Sequence, residues 1–295
     1  MNKLSELEAS LALPSSLMPF SPSWTGANEV TIWVKRDDMI HPIMSGNKWR
    51  KLAYTLKSTK PNAMVSFGGG FSNHLHALGY ASYQLGIPLT AIVRGNYSAS
   101  PSPMINDLMN WNVDIEYVDR ITYQKRNDPD YISQLQQRYN NALIIPEGGS
   151  QQSALHGIGE MVDEIAIPFD VIMAPVASGA TLAGIINKLS NTQQALGIGV
   201  LKGDNYLESL VSQFISDKCS AWSIDHRFHL GGYAKVPSEL RIFCDEFNTT
   251  MPFTIEPVYS GKLFWALKQL LKEGYFPKGS NIIVLHTGGL QGARS

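Results

Sequence analysis

The sequence has little with which to staple or anchor itself. Cys219 and Cys244 are the two cysteines in 295 residues, and neither lies in a CxxC or other metal-like spacing, so the expectation is reduced thiols in a cytoplasm. Neither sign of charge is in excess: 24 Lys and Arg against 25 Asp and Glu leave a net charge of -1, and no basic run offers a footprint for nucleic acid or an anionic membrane. No apolar stretch approaches the ~18 residues that span a bilayer. The opening MNKLSELEASLALPSSL carries Glu6 and Glu8 and is broken by Pro14, which does not suit a secretory leader. Histidines pair at His74 with His76 and at His226 with His229, but no cysteine or carboxylate cluster completes a ligand set, so no metal is expected. What is present is a chain 44% hydrophobic and 17% charged, enough for one large domain or two smaller ones.

Near-continuous apolar runs alternate with segments of helical period, the pattern of βαβ units. Strands are expected over 30–36, 62–69, 89–95, 142–149, 170–179, 196–203 and 281–289. Helical patterns fill 47–56, 73–84, 153–165, 181–189, 206–215, 238–247 and 262–273. Runs apolar throughout suit strands buried on both faces, so the fold class is α/β with a largely parallel sheet. No long Pro/Gly/Ser linker divides the chain, so a second domain is expected to be inserted into the first. The segment 96–103, NYSASPSP, is the best surface-loop candidate.

Open α/β sheets bind ligands at the carboxyl ends of their strands, and three such ends are rich in glycine. The first, Phe67-Gly68-Gly69-Gly70-Phe71-Ser72-Asn73-His74, has Asn73 where a dinucleotide fingerprint needs its third glycine, which disfavours a nicotinamide site. It does offer a hydroxyl, an amide and backbone N–H groups at a helix start, suited to a carboxylate. The plainer alternative is a glycine turn capped by Ser72 or Asn73. The second, Ala177-Ser178-Gly179-Ala180-Thr181, joins small residues to two hydroxyls and fits a phosphate cup, while lacking the G-K-[ST] of nucleotide hydrolases. The third ends in Thr287-Gly288-Gly289, where a hydroxyl could meet a ring nitrogen or merely cap a turn. Tyr259, in Glu256-Pro257-Val258-Tyr259-Ser260-Gly261-Lys262, sits at a strand-to-helix junction and gains interest only beside a substrate.

The stretch Ser45-Gly46-Asn47-Lys48-Trp49-Arg50-Lys51-Leu52 places two lysines in one turn. Lysine forms Schiff bases when its ammonium is destabilised, and a helix N-terminus disfavours that ammonium. Lys48 follows a tight turn directly and is the candidate. Lys51, three residues on, is expected to be its solvated neighbour.

Taken in order, SGNKWRKL, GGGFSNH, PEGGS, ASGATLAG, PVYSGK and HTGG resemble the D-cysteine desulfhydrase / 1-aminocyclopropane-1-carboxylate (ACC) deaminase family of pyridoxal-phosphate enzymes. The resemblance implies a tryptophan-synthase-β-like fold of type II: two open, twisted, mostly parallel sheets flanked by helices. It also implies a large pyridoxal-phosphate domain (1–45 plus 150–295), a smaller inserted domain (46–149) and a homodimer. By the same likeness Lys48 would carry the cofactor covalently, and Ala177, Ser178, Gly179, Ala180 and Thr181 would hold its phosphate. Asn73 would bond its 3′-hydroxyl and Thr287 would face its ring nitrogen. Ser72 would take the substrate carboxylate, and Tyr259, with Tyr233 of Gly231-Gly232-Tyr233-Ala234-Lys235, would act as acid or base. The implied substrate is a small amino acid.

Two activities follow from this likeness. One is α,β-elimination from D-cysteine to pyruvate, ammonia and sulfide; the other opens the ring of ACC to 2-oxobutyrate and ammonia. Family members acting on ACC place Glu after the tyrosine and Leu in the last motif, where this chain has Ser260 and Thr287. Neutral hydroxyls near the ring nitrogen deepen the electron sink less than a carboxylate would, and elimination of a good leaving group asks less of that sink. The departures therefore favour the lyase. A catalytically silent binder of pyridoxal phosphate or an amino acid is the reading from another class, and the joint presence of Lys48, Ser72, Asn73 and Tyr259 speaks against it.

Overall fold

The computed structural model describes residues 2–203, 205–215 and 220–294, so Cys219 lies outside the described residues. The strands are β1 Leu17–Pro19, β2 Thr31–Lys35, β3 Met64–Gly69, β4 Leu89–Arg94, β5 Asp114–Val118, β6 Leu143–Ile145, β7 Val171–Val176, β8 Gln194–Gly199, β9 Ala221–Asp225 and β10 Asn281–Leu285. The helices are α1 Lys3–Ala9, α2 Asn47–Thr59, α3 Asn73–Leu85, α4 Pro103–Asn110, α5 Arg120–Gln124, α6 Pro129–Arg138, α7 Ala154–Asp163, α8 Ala180–Ile186, α9 Tyr206–Ser212, α10 Ser238–Thr250 and α11 Ser260–Lys272.

Two sheets result. One runs β1-β2-β10-β7-β8-β9, parallel except for the antiparallel β1–β2 pair; the other runs β5-β4-β3-β6 and is parallel throughout. This is the α/β architecture expected from the apolar runs. Each central strand buries both faces. On β7, Val171 and Met173 pack with Phe243, Phe247 and Phe264 of α10 and α11, while Ile172 and Ala174 pack with Ile158 of α7 and Ile185 of α8. On β4, Ala91 and Val93 join a core with Leu75, Leu78 and Leu108, and Ile92 faces Phe67, Tyr123 and Leu135 on the other side. The N-terminal arm adds Leu7 and Leu11 to the core that contains Leu75.

The strand expected over 142–149 is shorter than the pattern suggested. It ends at Ile145 because Pro146 has no N–H to donate and the chain then enters a 3-10 turn with Gly148 at φ 71°. The short strands β1, β5 and β9, and helices α1, α4, α5 and α6, were not marked by the apolar pattern. Among the described residues no helix is long and apolar enough to cross a membrane.

Helix α2 lies between the two cores. Trp49, Leu52, Ala53 and Leu56 pack toward the core of the four-stranded sheet. From its other side Arg50 donates to Asp37 at 3.0 Å and to both oxygens of Glu164 at 2.6 and 2.8 Å. Lys35 of β2 reaches the same Glu164 at 2.6 Å, and Ser15 donates to Asp37. Lys35, Asp37 and Arg50 are all buried, so this network bolts α2 to β2 and to the end of α7.

Candidate active site

The predicted residues meet at the carboxyl ends of β3, β7 and β10, where helices α3 and α8 begin and the chain leaves β10. Helix α2 enters beside them through Gly46, which has φ 67°; a β-carbon there would lie 1.7 Å from the carbonyl oxygen of Thr287. Only glycine permits that approach, and it sets the start of α2 against the end of β10.

Lys48 follows at once. Its amine is 3.1 Å from Asn47 Oδ1, and the Asn47 amide donates to Thr181 Oγ1 at 2.8 Å, tying α2 to the start of α8. Burial lowers the Lys48 amine to about 8, with the Glu256 carboxylate partly opposing the shift. Lys51 overturns the expectation of a solvated neighbour. It is 2% exposed, and its ammonium donates to Gly148 O (3.2 Å), Ser150 Oγ (3.3 Å) and Ser178 Oγ (3.2 Å). Burial, and secondarily the charge of Lys48, hold it well below the usual lysine value. The sequence pattern missed it because its partners lie as far as 127 positions away.

The phosphate-cup candidate closes around the same group. Gly179 has φ 81°, and a side chain there would strike the backbone of Leu210 at 2.7 Å. Ser178 Oγ accepts from both Lys51 and Ser150 (2.6 Å), so its own proton is uncommitted among the described residues. Ala177 and Ser178 are half-buried, whereas Gly179, Ala180 and Thr181 are buried. His74 backs this corner. Ser66 spends its proton on Ile145 O (2.7 Å), so the 2.8 Å contact requires His74 Nε2 to be the donor, which leaves a buried, unpartnered Nδ1. Burial, then the charges of Lys48 and Lys51, push His74 down to about 3, so it is neutral.

Across the site Ser72 caps α3, accepting from Leu75 N at 3.2 Å, which realises the plainer alternative raised for it while its side chain stays half-buried. Asn73, the next residue, accepts from the Gln291 amide. Its Nδ2 lies 2.9 Å from where a Gly289 β-carbon would stand, and Glu256 Oε1 is 3.7 Å from the same point. Thr287 is buried beside Gly46. Neither Gln291 nor Glu256 was singled out by the sequence reading, since an isolated Gln or Glu carries no spacing signal.

Glu256 is 2% exposed and accepts from Val258 N, Tyr259 N and Ser260 N at 2.7, 2.7 and 2.8 Å. Burial still outweighs these bonds and raises its carboxyl above the ordinary value. Ser260 Oγ accepts from Glu256 N (2.9 Å) and is 3.2 Å from Oε1, so this hydroxyl is turned inward. Tyr259, fixed through its N–H, sets its hydroxyl 3.4 Å from that of Tyr233, with ring centroids 6.2 Å apart. Burial and the neighbouring Tyr233 and Glu256 raise the Tyr259 phenol well above its usual value, so it holds its proton. Tyr233 is the outlier of the set, 47% exposed and joined to it through Tyr259.

The donors fit a pyridoxal phosphate. The buried Lys51 and the half-buried Lys48, neither with a carboxylate in contact among the described residues, suit a phosphate dianion together with a free hydroxyl proton and a glycine-walled cup. The Asn73 amide lies over Gly289, two residues beyond the buried Thr287 at the end of β10. A family model for pyridoxal-phosphate-dependent enzymes matches residues 18–288. The bifunctional D-cysteine desulfhydrase/1-aminocyclopropane-1-carboxylate deaminase, mitochondrial, of Arabidopsis thaliana is 27% identical over 90% of this chain and 74% of its own. The 1-aminocyclopropane-1-carboxylate deaminase of Rhizobium radiobacter is 26% identical over 95% of this chain and 93% of its own. The crystal structure of an ACC deaminase homologue superposes with a TM-score of 0.80 at 23% identity, covering 100% of this chain and 97% of that one. The chain belongs to the pyridoxal-phosphate-dependent enzyme family.

Proposed function

We propose that the protein eliminates the β-substituent of a small amino acid, with D-cysteine as substrate and pyruvate, ammonia and sulfide as products. In this reading Lys48 carries the cofactor. Lys51 with Ala177, Ser178, Gly179, Ala180 and Thr181 holds its phosphate, Asn73 its 3′-oxygen, and Thr287 faces its ring nitrogen. Bound pyridoxal phosphate supplies the electron sink for charge released at the substrate Cα. The protein supplies the rest. Ser72 and the first N–H groups of α3 bind the substrate carboxylate. The Lys48 amine, with its value near 8, takes the Cα proton close to working pH. Tyr259, protonated throughout that range and paired with Tyr233, donates to the departing sulfur.

The observation that carries the choice of lyase is the inward-turned Ser260–Glu256 pair. The Glu256 oxygens are committed to three backbone N–H groups and one hydroxyl, leaving neutral Thr287 as the group offered at the end of β10. Glu256 also gives ACC ring opening its one structural argument, because a buried carboxylate so close deepens the sink through space. Incubating the holoenzyme with D-cysteine, L-cysteine and ACC separates the readings. Sulfide and pyruvate from D-cysteine are expected. Oxobutyrate from ACC with no sulfide from D-cysteine would transfer the assignment to deamination, and silence on all three substrates would favour a binder. We further propose a cytoplasmic homodimer divided near residues 46 and 149, with the arm that carries Leu7 packed on the smaller unit. Sedimentation at working concentration tests the oligomer.

A further inference from the structure

Lys262, the third residue of α11, is fully buried, yet among the described residues it contacts no carboxylate. Its ammonium donates to three backbone carbonyls: Gly232 O at 2.7 Å, His229 O at 2.8 Å and Val200 O at 3.4 Å. Burying an ammonium with no carboxylate in contact is costly, the Glu256 charge acting on it only through space, and an apolar side chain of similar volume would pack there without that cost. What the charge holds is a loop that the backbone alone disfavours. Leu230, Gly231, Gly232 and Ala234 all have positive φ, at 51°, 93°, 107° and 54°, and two of the four carry side chains. Such a shape persists only where its surroundings fix it, and the Gly232 carbonyl belongs to the peptide that leads into Tyr233. At the other end, Lys262 lies three residues beyond Tyr259 on the helix that Tyr259 opens.

We propose that Lys262 is a positioning residue: by holding the His229 and Gly232 carbonyls from α11, it sets the Tyr233 hydroxyl against that of Tyr259. The inference rests on the reading of the two tyrosines as the proton-handling pair. It explains how a half-exposed loop residue is registered on a half-buried partner 26 positions away.

The test compares wild type, Lys262→Met, Tyr233→Phe and the double variant as holoenzymes. Amide hydrogen exchange over 229–235 is expected to speed up ~10-fold or more in Lys262→Met, with exchange in α11 unchanged. With D-cysteine, kcat should fall ~10-fold with KM little altered, and the double variant should fall no further than Tyr233→Phe alone, because both changes break one unit. Unchanged exchange over 229–235 in a folded variant would overturn the proposal, as would losses that add in the double variant. Should Lys262→Met not fold, Lys262→Gln, which keeps amide donors without the charge, is read by the same two measurements. Full activity of Tyr233→Phe would instead overturn the reading of the tyrosine pair, while the exchange data still decide whether Lys262 holds the loop.

Discussion

Helix α2 presents positive charge to two very different surroundings. On one side Arg50 meets Asp37 and Glu164 within 3.0 Å, and Lys35 completes the set with the same Glu164 at 2.6 Å. On the other, among the described residues Lys48 and Lys51 are in contact only with an amide oxygen, hydroxyls and a carbonyl. The consequences run in opposite directions. Burial works against the Arg50 charge, but its bonds to Glu164 and Asp37 prevail and hold it above its ordinary value. Burial lowers Lys48 and Lys51 because nothing in contact compensates it. On this helix the paired cation is spent on holding elements together, while the two lysines left without a carboxylate are available to an anion or to chemistry.

Removing Lys48, the member of the unpaired set proposed to react, should have the largest effect. Lys48→Ala is expected to lower kcat/KM by more than ~1,000-fold and to abolish the visible absorption of lysine-linked pyridoxal. A band that survives the substitution would show that another lysine carries the cofactor. Next in size is a stability effect from the paired set. Arg50→Met leaves the buried Asp37 without its cation and Glu164 with Lys35 alone, and should cost ~3–5 kcal/mol in urea unfolding of the cofactor-free protein. Lys51→Met strands no carboxylate. It should leave that unfolding midpoint nearly unchanged while weakening cofactor retention by ~10–100-fold, the loss of one charge-assisted phosphate contact. Equal destabilisation by Arg50→Met and Lys51→Met would erase the distinction between the two sides of the helix.

A pH titration sharpens the same contrast. The free Lys48 amine is depressed to about 8, so the rate at which cofactor-free protein captures pyridoxal phosphate should rise as pH passes through that value. Glu256 acts to raise the Lys48 value, so Glu256→Gln should move the midpoint lower. A midpoint moved upward, or not at all, would show that the Glu256 charge is not felt at Lys48. On the paired side, burial alone would raise the Glu164 carboxyl, but its bonds with Arg50 and Lys35 lower it. That contribution is present above the ordinary glutamate value and is lost as pH falls through the lower folded value. Acid unfolding of Glu164→Gln should therefore depend less on pH in that range.

The central strands were legible because burial on both faces writes itself as an unbroken apolar run, as in Met64–Gly69 and Val171–Val176. Strands β1, β5 and β9 were not. They edge their sheets, and the exposed or half-buried residues of Asp114–Val118 and Ala221–Asp225 give no continuous signal. In the site, Lys48 stood out because a glycine turn and a helix start adjoin it in sequence. Lys51 has the same local setting, and its burial comes from Ser150 and Ser178, which only the packing of α2 against the loops after β6 and β7 brings near. Glu256 was hidden for a related reason: its carboxylate folds back on its own turn, a bond pattern that residue type alone does not announce.

The smallest effect lies where no charge is involved. Gln291 donates to Asn73 Oδ1, which fixes the Asn73 carboxamide with its NH2 over Gly289, the orientation that the proposed bond to the cofactor's 3′-oxygen requires. The segment is held by Arg294, which reaches Asp107 at 2.6 Å on α4. A neutral hydrogen bond is worth ~0.5–1.5 kcal/mol, so Gln291→Ala should weaken cofactor retention only about two- to tenfold. Gln291→Glu is the sharper probe. A carboxylate can only accept, so Asn73 would have to turn its NH2 toward residue 291 and present its oxygen to the cofactor, and retention should fall below that of Gln291→Ala. Dialysis against a pyridoxal-phosphate scavenger ranks the two variants, and retention by Gln291→Glu equal to wild type would show that the Asn73 amide is not oriented from this side.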